Sequence, residues 1–171
     1  MALDIASTDA PATLALADEL AAVYRAAFVD EPPEAAERFR TEQLATHAAR
    51  DGFRCVVARE DGRVVGFAYG YTGHRGQWWS DRVAAAAPAG VVDEWLGGHF
   101  EFVELAVDPA VQGRGVGGAL HDALLDGLPH DRALLSTYTD DRPAPRLYRR
   151  KGWTRLMAGL DEGSDLYGRR L

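Results

Sequence analysis

The chain has 171 residues, a length typical of one domain and enough to bury about two-thirds of the unfolded chain's surface without covalent staples. Hydrophobic residues make up 47% and charged residues 26%, an ordinary globular composition that excludes extensive disorder. The single cysteine, Cys55, excludes an intrachain disulfide and a Cys-based zinc cage, and the formal charge of −7 has the wrong sign for a global nucleic-acid or anionic-membrane footprint.

No apolar run approaches the ~18 residues that span a bilayer, and residues 1–17 lack a basic segment followed by an apolar block. One domain over 1–171 is therefore expected, cytoplasmic and without nucleic-acid or membrane partners. Eighteen of the 19 basic residues are Arg. Nothing in their spacing forms a cluster, although a local site for an anion stays open.

Residues 1–6 read as a first strand, and Asp9 with Pro11 as helix-start signals. Leu16, Leu20, Val23, Tyr24, Ala27 and Phe28 recur at helical spacing and predict a helix over 12–29. Glu31-Pro32-Pro33 stops it, and a second helix is predicted over 34–50, with Phe39 and Leu44 inward. Residues 53–58 read as a strand, Glu60-Asp61-Gly62-Arg63 as a hairpin turn, and 64–72 as the returning strand. Within 74–99, Ser80-Asp81 is a candidate cap, and Val91, Val92, Trp95 and Leu96 share one helical face that Gly97-Gly98 would end.

Residues 100–107 form a strand closed by Asp108-Pro109, and Val116, Leu120, Ala123 and Leu124 restore helical spacing. A strand over 133–138, a short helix over 143–151 and two strands near 153–157 and 166–170 complete the chain. This order is that of an α/β protein with a sheet of mixed direction.

The most informative segment runs from Glu104 to Gly118, where a strand feeds a glycine-rich turn and the turn feeds a helix. Glycines let backbone N–H groups converge, and the helix N-terminus adds a favourable dipole. The product is an anion cradle suited to a pyrophosphate, with Arg114 as a further positive charge; the alternative is a tight turn packed on the sheet. Gly113, Gly115 and Gly118 also match the dinucleotide fingerprint, and Asp140 lies downstream at a distance suited to a ribose contact. Against a dinucleotide domain, residues 108–112 separate the strand from the first glycine, several elements precede the motif, and too little chain follows it.

Gln112-Gly113-Arg114-Gly115-Val116-Gly117 has the form Gln/Arg-x-x-Gly-x-Gly/Ala, preceded by Leu105-Ala106-Val107-Asp108-Pro109. Downstream, Ala144-Pro145-Arg146-Leu147-Tyr148-Arg149-Arg150-Lys151-Gly152-Trp153 has the form Ala-x-x-Leu-Tyr-x-x-x-Gly-Phe/Trp. In these motifs the chain resembles the GNAT family, the GCN5-related N-acetyltransferases. The similarity spans about residues 100–153, and residues 1–73 agree in the order of elements.

The resemblance implies a mixed, mostly antiparallel twisted sheet with a splayed parallel strand pair and flanking helices. It implies acetyl-CoA as co-substrate, its pyrophosphate held at Gln112, Gly113, Arg114, Gly115, Val116, Gly117 and Gly118. Its pantetheine would pair with backbone at Leu105, Ala106 and Val107. Asp141 is a further expected cofactor contact, and it stands where many members carry Asn.

Transfer of an acetyl group to an amine needs a neutral amine, a stabilised oxyanion and a protonated leaving thiolate. By resemblance Tyr148 is the general acid; the alternative is a ring that packs beside the cofactor. Glu104 is the candidate base, through a water. Strand alternation puts Phe102 and Ala106 on its face and Glu101 and Val103 on the other; an ordinary paired carboxylate is the alternative. A backbone N–H near Val107 is the oxyanion donor by family analogy.

Cys55 reads as core, the five histidines show no ligand spacing so no metal is expected, and His99 reads as solvated or capping. Trp78, Trp79 and Trp95 would either wall an acceptor pocket or cover a sheet edge. Glu31, Glu34, Glu37, Asp93 and Glu94 suit a cationic amine or form a solvated face. The expected reaction is direct transfer from acetyl-CoA to the primary amine of a small molecule in a ternary complex. The alternatives are acetylation of a protein N-terminus or lysine, and a non-catalytic acyl-CoA-binding regulator. A homodimer is allowed.

Overall fold

The computed structural model describes residues 2–171. The strand expected over 1–6 is β1, Leu3–Thr8, and Met1 lies outside the described residues. Among the described residues, seven strands form one sheet in the order β1-β2-β3-β4-β5-β7-β6. β2 is Arg54–Glu60, β3 Arg63–Gly73, β4 His99–Val107, β5 Arg132–Tyr138, β6 Thr154–Asp161 and β7 Ser164–Arg170. β4 and β5 run parallel, while the β1–β2, β2–β3, β5–β7 and β6–β7 pairs are antiparallel. This is the mixed, mostly antiparallel sheet that the motifs imply.

The chain divides into two compact units, one built from the chain up to Tyr71 with Val103–Asp126, the other from Thr72–Phe102 with Gly127–Leu171. In the first unit the predicted 12–29 helix is two helices, α1 (Ala10–Ala15) and α2 (Ala17–Ala27). Asp9 caps α1 by accepting from Ala12 N–H at 2.9 Å. Leu16 leaves helical geometry, with φ −95° and ψ 8°, and its side chain packs on the unit's core. The predicted 34–50 helix is α3 (Pro33–Arg38) and α4 (Leu44–Ala48), joined by a π-helical turn over Phe39–Gln43. That turn aims the fully buried Phe39 at Tyr24, 4.8 Å away and stacked, and at Phe67, 5.7 Å away.

The core of this unit collects Leu20, Val23, Phe39, Leu44, Cys55, Val57, Phe67 and Tyr69. A register shift at Ala58/Arg59 turns Val64 onto the same face as Phe67. Helix α7 (Val116–Leu125) packs where Gly66 leaves room, because a Cβ there would lie 2.9 Å from Leu120 Cδ1 and 3.1 Å from the Ala106 carbonyl.

In the second unit, α5 (Trp78–Ala86) and α6 (Ala89–Trp95) fill most of 78–95. Ser80-Asp81 does not cap a helix start: α5 begins at Trp78, Ser80 is buried within it, and Asp81 reaches back to Gly76 N–H at 2.9 Å and Arg75 Nε at 3.0 Å. Its core collects Val83, Trp95, Leu134, Leu160 and Leu166. Helix α8 (Pro143–Arg150) carries the tyrosine motif, and Gly152, φ +84°, turns the chain just past its C-cap Lys151. No described helix is long and apolar enough to cross a membrane.

Candidate active site

The turn after β4 is built by local hydrogen bonds. Asp108 Oδ1 accepts from Ala110 N–H at 2.9 Å and starts a 3-10 turn over Pro109–Val111, and Gln112 Nε2 donates back to the Val107 carbonyl at 3.0 Å. Gly113 and Gly115 then take φ +76° and +82°, and Gly115 is the left-handed N-cap of α7. The first helical bond is Ala119 N–H to the Gly115 carbonyl at 3.0 Å, so the N–H groups of Val116, Gly117 and Gly118 have no acceptor within the helix. No side chain caps this end, and no acidic residue sits in its first turn. Backbone donors and dipole therefore face outward together, as an anion requires.

A Cβ built at Gly113 or Gly115 would meet nothing within 4 Å. These glycines are needed for conformation and open space; close packing on the sheet falls to Gly66. The residues present thus fit a pyrophosphate. The guanidinium of Arg114, the expected further positive charge, donates to Glu60 Oε1 at 2.5 Å.

Glu104 lies half-buried on β4, and burial pushes its carboxyl up to about 8. The nearby Glu31 carboxylate adds to the rise, and a hydrogen bond from Leu105 N–H opposes it. Simple alternation along β4 fails here: Val103 and Ala106, three residues apart, pack on the same cluster. Ala106 therefore does not mark the face opposite Val103. Tyr69, fully buried on β3, feels the Glu104 charge, and its hydroxyl lies 2.9 Å from His47 Nδ1.

Glu31 also lines a pocket of about 480 Å³ in the first unit, with Tyr24, Arg25, Phe28, Val29, Pro32, Pro33 and Ala36. Sequence reasoning counted Glu31 as one of several acidic residues and missed this setting. The available signal was the Pro-Pro pair that turns the chain directly after it.

In the second unit Tyr148 is buried on α8, edge-on to Phe102 at 5.8 Å and to Trp153 at 5.9 Å between ring centroids. The carboxylate of Asp141 is paired with Arg149 at 3.1 Å and Arg146 at 3.6 Å. Of the three tryptophans, Trp95 belongs to the core beneath the Arg170 guanidinium, and Trp79 packs at the core's edge and against His99. Trp78 is exposed and lines a pocket of about 430 Å³ with Asp81, Arg82, Ala85, Ala86 and Leu160. His99 is not solvated: it is fully buried, and its Nδ1 accepts from Gly97 N–H at 3.2 Å. Cys55 is core as expected, with its thiol pushed up to about 11 by burial.

Comparison with known proteins identifies the family. The model of the Acetyltransferase (GNAT) family matches residues 15–153. A GCN5-like protein acetyltransferase of Mycobacterium tuberculosis is 32% identical, the match covering 78% of this chain and 79% of that protein. A solved Pyrococcus horikoshii structure superposes with a TM-score of 0.72 at 20% identity, covering 99% of both chains. The PaiA N-acetyltransferase of Thermoplasma acidophilum, solved with coenzyme A, gives 0.63 at 11% identity over 100% of both. The chain belongs to the GNAT acetyltransferase family and is an acetyl-CoA-dependent transferase.

Proposed function

We propose that the protein is an N-acetyltransferase that moves the acetyl group of acetyl-CoA directly onto a primary amine of a small molecule. The observation that carries this reading is the uncapped glycine cradle that opens α7, in the same unit as the half-buried Glu104 carboxyl. Acetyl-CoA, when bound, supplies the activated thioester. The N–H groups of Val116, Gly117 and Gly118 hold its pyrophosphate, with Gln112 and Gly113 shaping the turn, and the backbone of Leu105, Ala106 and Val107 aligns its pantetheine. The coenzyme A in the Thermoplasma relative supports this assignment.

Glu104, as carboxylate, takes a proton from the incoming ammonium through water and leaves the amine neutral for attack. The amine nitrogen bonds the acetyl carbon as the carbon–sulfur bond breaks; Tyr148 Oη gives its proton to the leaving sulfur and is restored by the second proton, which the nitrogen sheds as it becomes an amide. No acyl-cysteine is needed, and a buried thiol held near 11 is a poor nucleophile at neutral pH.

A small amine acceptor suits the 480 Å³ pocket, where Glu31 would face the ammonium, Tyr24, Phe28 and Val29 would cover an apolar stem, and Arg25 would favour an acceptor that also carries an acidic group. The competing acceptor site is the pocket that Trp78 lines, while Trp79 and Trp95 pack in the core of the second unit. A raised KM for amine in Glu31→Gln selects the first, and in Trp78→Ala the second. A second reading, acetylation of a protein lysine, is favoured by the mycobacterial relative's name as a protein acetyltransferase.

Coenzyme A release at fixed acetyl-CoA, measured over a panel of small primary amines and a lysine-containing peptide, separates the two. Release with small amines is expected. Release with the peptide alone would replace the small-molecule reading, and tight acetyl-CoA binding with no release for any acceptor would favour a regulator.

A further inference from the structure

The tip of the β2–β3 hairpin holds the glycine turn from two sides, with opposite charges. At the start of the turn Arg63 Nη1 donates to Asp108 Oδ2 at 2.9 Å; near its end Arg114 Nη2 donates to Glu60 Oε1 at 2.5 Å. Glu60 and Arg63 are direct partners across the hairpin, and Asp61 and Gly62 close it with φ +51° and +80°. One tight turn therefore sets the spacing of both straps. The Glu60 side chain is only 11% exposed, against 47% for Arg114, so the carboxylate is the fixed end and the arginine the end that is held.

Arg114 stands between the two left-handed glycines. A Gly-Arg-Gly segment has wide conformational freedom, and a cradle that must be ordered on binding loses affinity to that ordering. Fixing the one side chain between the glycines removes much of this freedom beforehand. A carboxylate beside an anion site otherwise opposes the anion, so its value there lies in what it holds.

Resting on the reading of Gly113–Gly118 as a pyrophosphate cradle, we propose that Glu60 is a positioning residue for the cofactor: it ties Arg114 to the hairpin and keeps the backbone donors presented. The Arg114 side chain serves as the strap and makes no phosphate contact of its own.

Calorimetric titration with coenzyme A of the wild type, Glu60→Gln, Arg114→Met and the double variant tests this, with unfolding curves confirming that each protein is folded. Each single change should raise Kd about three- to fivefold, the scale of one partly exposed ion pair. The double variant should be no worse than either single, since one interaction is lost in all three. Glu60→Gln should raise KM for acetyl-CoA with kcat unchanged at saturation. Tighter coenzyme A binding by Glu60→Gln would overturn the proposal, because it would make Arg114 a phosphate ligand that Glu60 withholds. Additive effects, or no change in Kd, would overturn it as well. A wild type that binds no coenzyme A would instead remove the cradle reading, and this proposal with it.

Discussion

At Glu104 two requirements meet in one carboxyl: a base must be ionised, and burial favours the neutral acid. With its pKa at about 8, about nine in ten molecules carry the proton at pH 7. The ionised fraction grows about tenfold per pH unit below 8 and then levels. The rate at limiting acceptor should therefore climb to a plateau above pH 8. Deprotonation of the free amine adds a slope of its own, so the diagnostic is the difference from Glu104→Gln. That variant should lose about 10²–10⁴-fold at pH 8 and keep only the amine's slope; an unchanged profile would remove Glu104 from the role of base. Tyr148 separates in another way. Tyr148→Phe keeps the ring against Phe102 and Trp153 and loses only Oη, so kcat should fall at least tenfold while coenzyme A affinity stays within twofold.

Among the elements, the cradle was the part most legible in the sequence, because its geometry is written locally. A left-handed residue just before a helix calls for glycine, and Gly115 occupies it with nothing within 4 Å of an added Cβ. Gly115→Ala should therefore cost stability by conformation alone, about 1–2 kcal/mol. Gly115→Glu should cost about the same and also abolish coenzyme A binding, since it sets a carboxylate before the anion site. Calorimetry and an unfolding curve measure the two effects, and retained binding in Gly115→Glu would refute the phosphate assignment.

What remained hidden was decided by distant partners. The break at Leu16 and the π turn at Phe39 answer to core packing with residues far along the chain, as between Phe39 and Phe67, which helical spacing does not register. Val103 and Ala106 pack on one cluster, which the alternation used to assign faces on β4 does not allow. Glu60 and Arg114, 54 residues apart, carry no mark in the sequence that they meet.

For the molecule as a whole, groups that titrate between pH 4 and 8 set opposing slopes of stability, and His130, held low chiefly by burial, adds to the histidine side. His47 and His99 are pushed from 6.5 to about 4, chiefly by burial. As pH falls through 6.5 the unfolded chain takes up protons that the folded chain refuses, so their contribution is lost between pH 6.5 and 4. Glu104 acts in the other direction. Its folded value of about 8 stands above the ordinary 4.5, so the folded chain holds a proton that the unfolded chain releases, and stability falls as pH rises from 4.5 to 8. Below 6.5 the histidines outweigh one carboxyl; above it the carboxyl acts alone. Stability should therefore peak near pH 6.5 and drop by about 2 kcal/mol by pH 8, about 4–8 °C in melting temperature for a chain of this size. Glu104→Gln should stay level over that interval. The groups are divided between the two units, with Glu104 and His47 in the first and His99 and His130 in the second. If scanning calorimetry resolves two transitions, the decline above pH 6.5 should belong to the one that carries Glu104, and the other should weaken only toward acid. A wild type as level as Glu104→Gln from pH 6.5 to 8 would mean that the carboxyl is ionised in the folded protein, and the poised base would go with it.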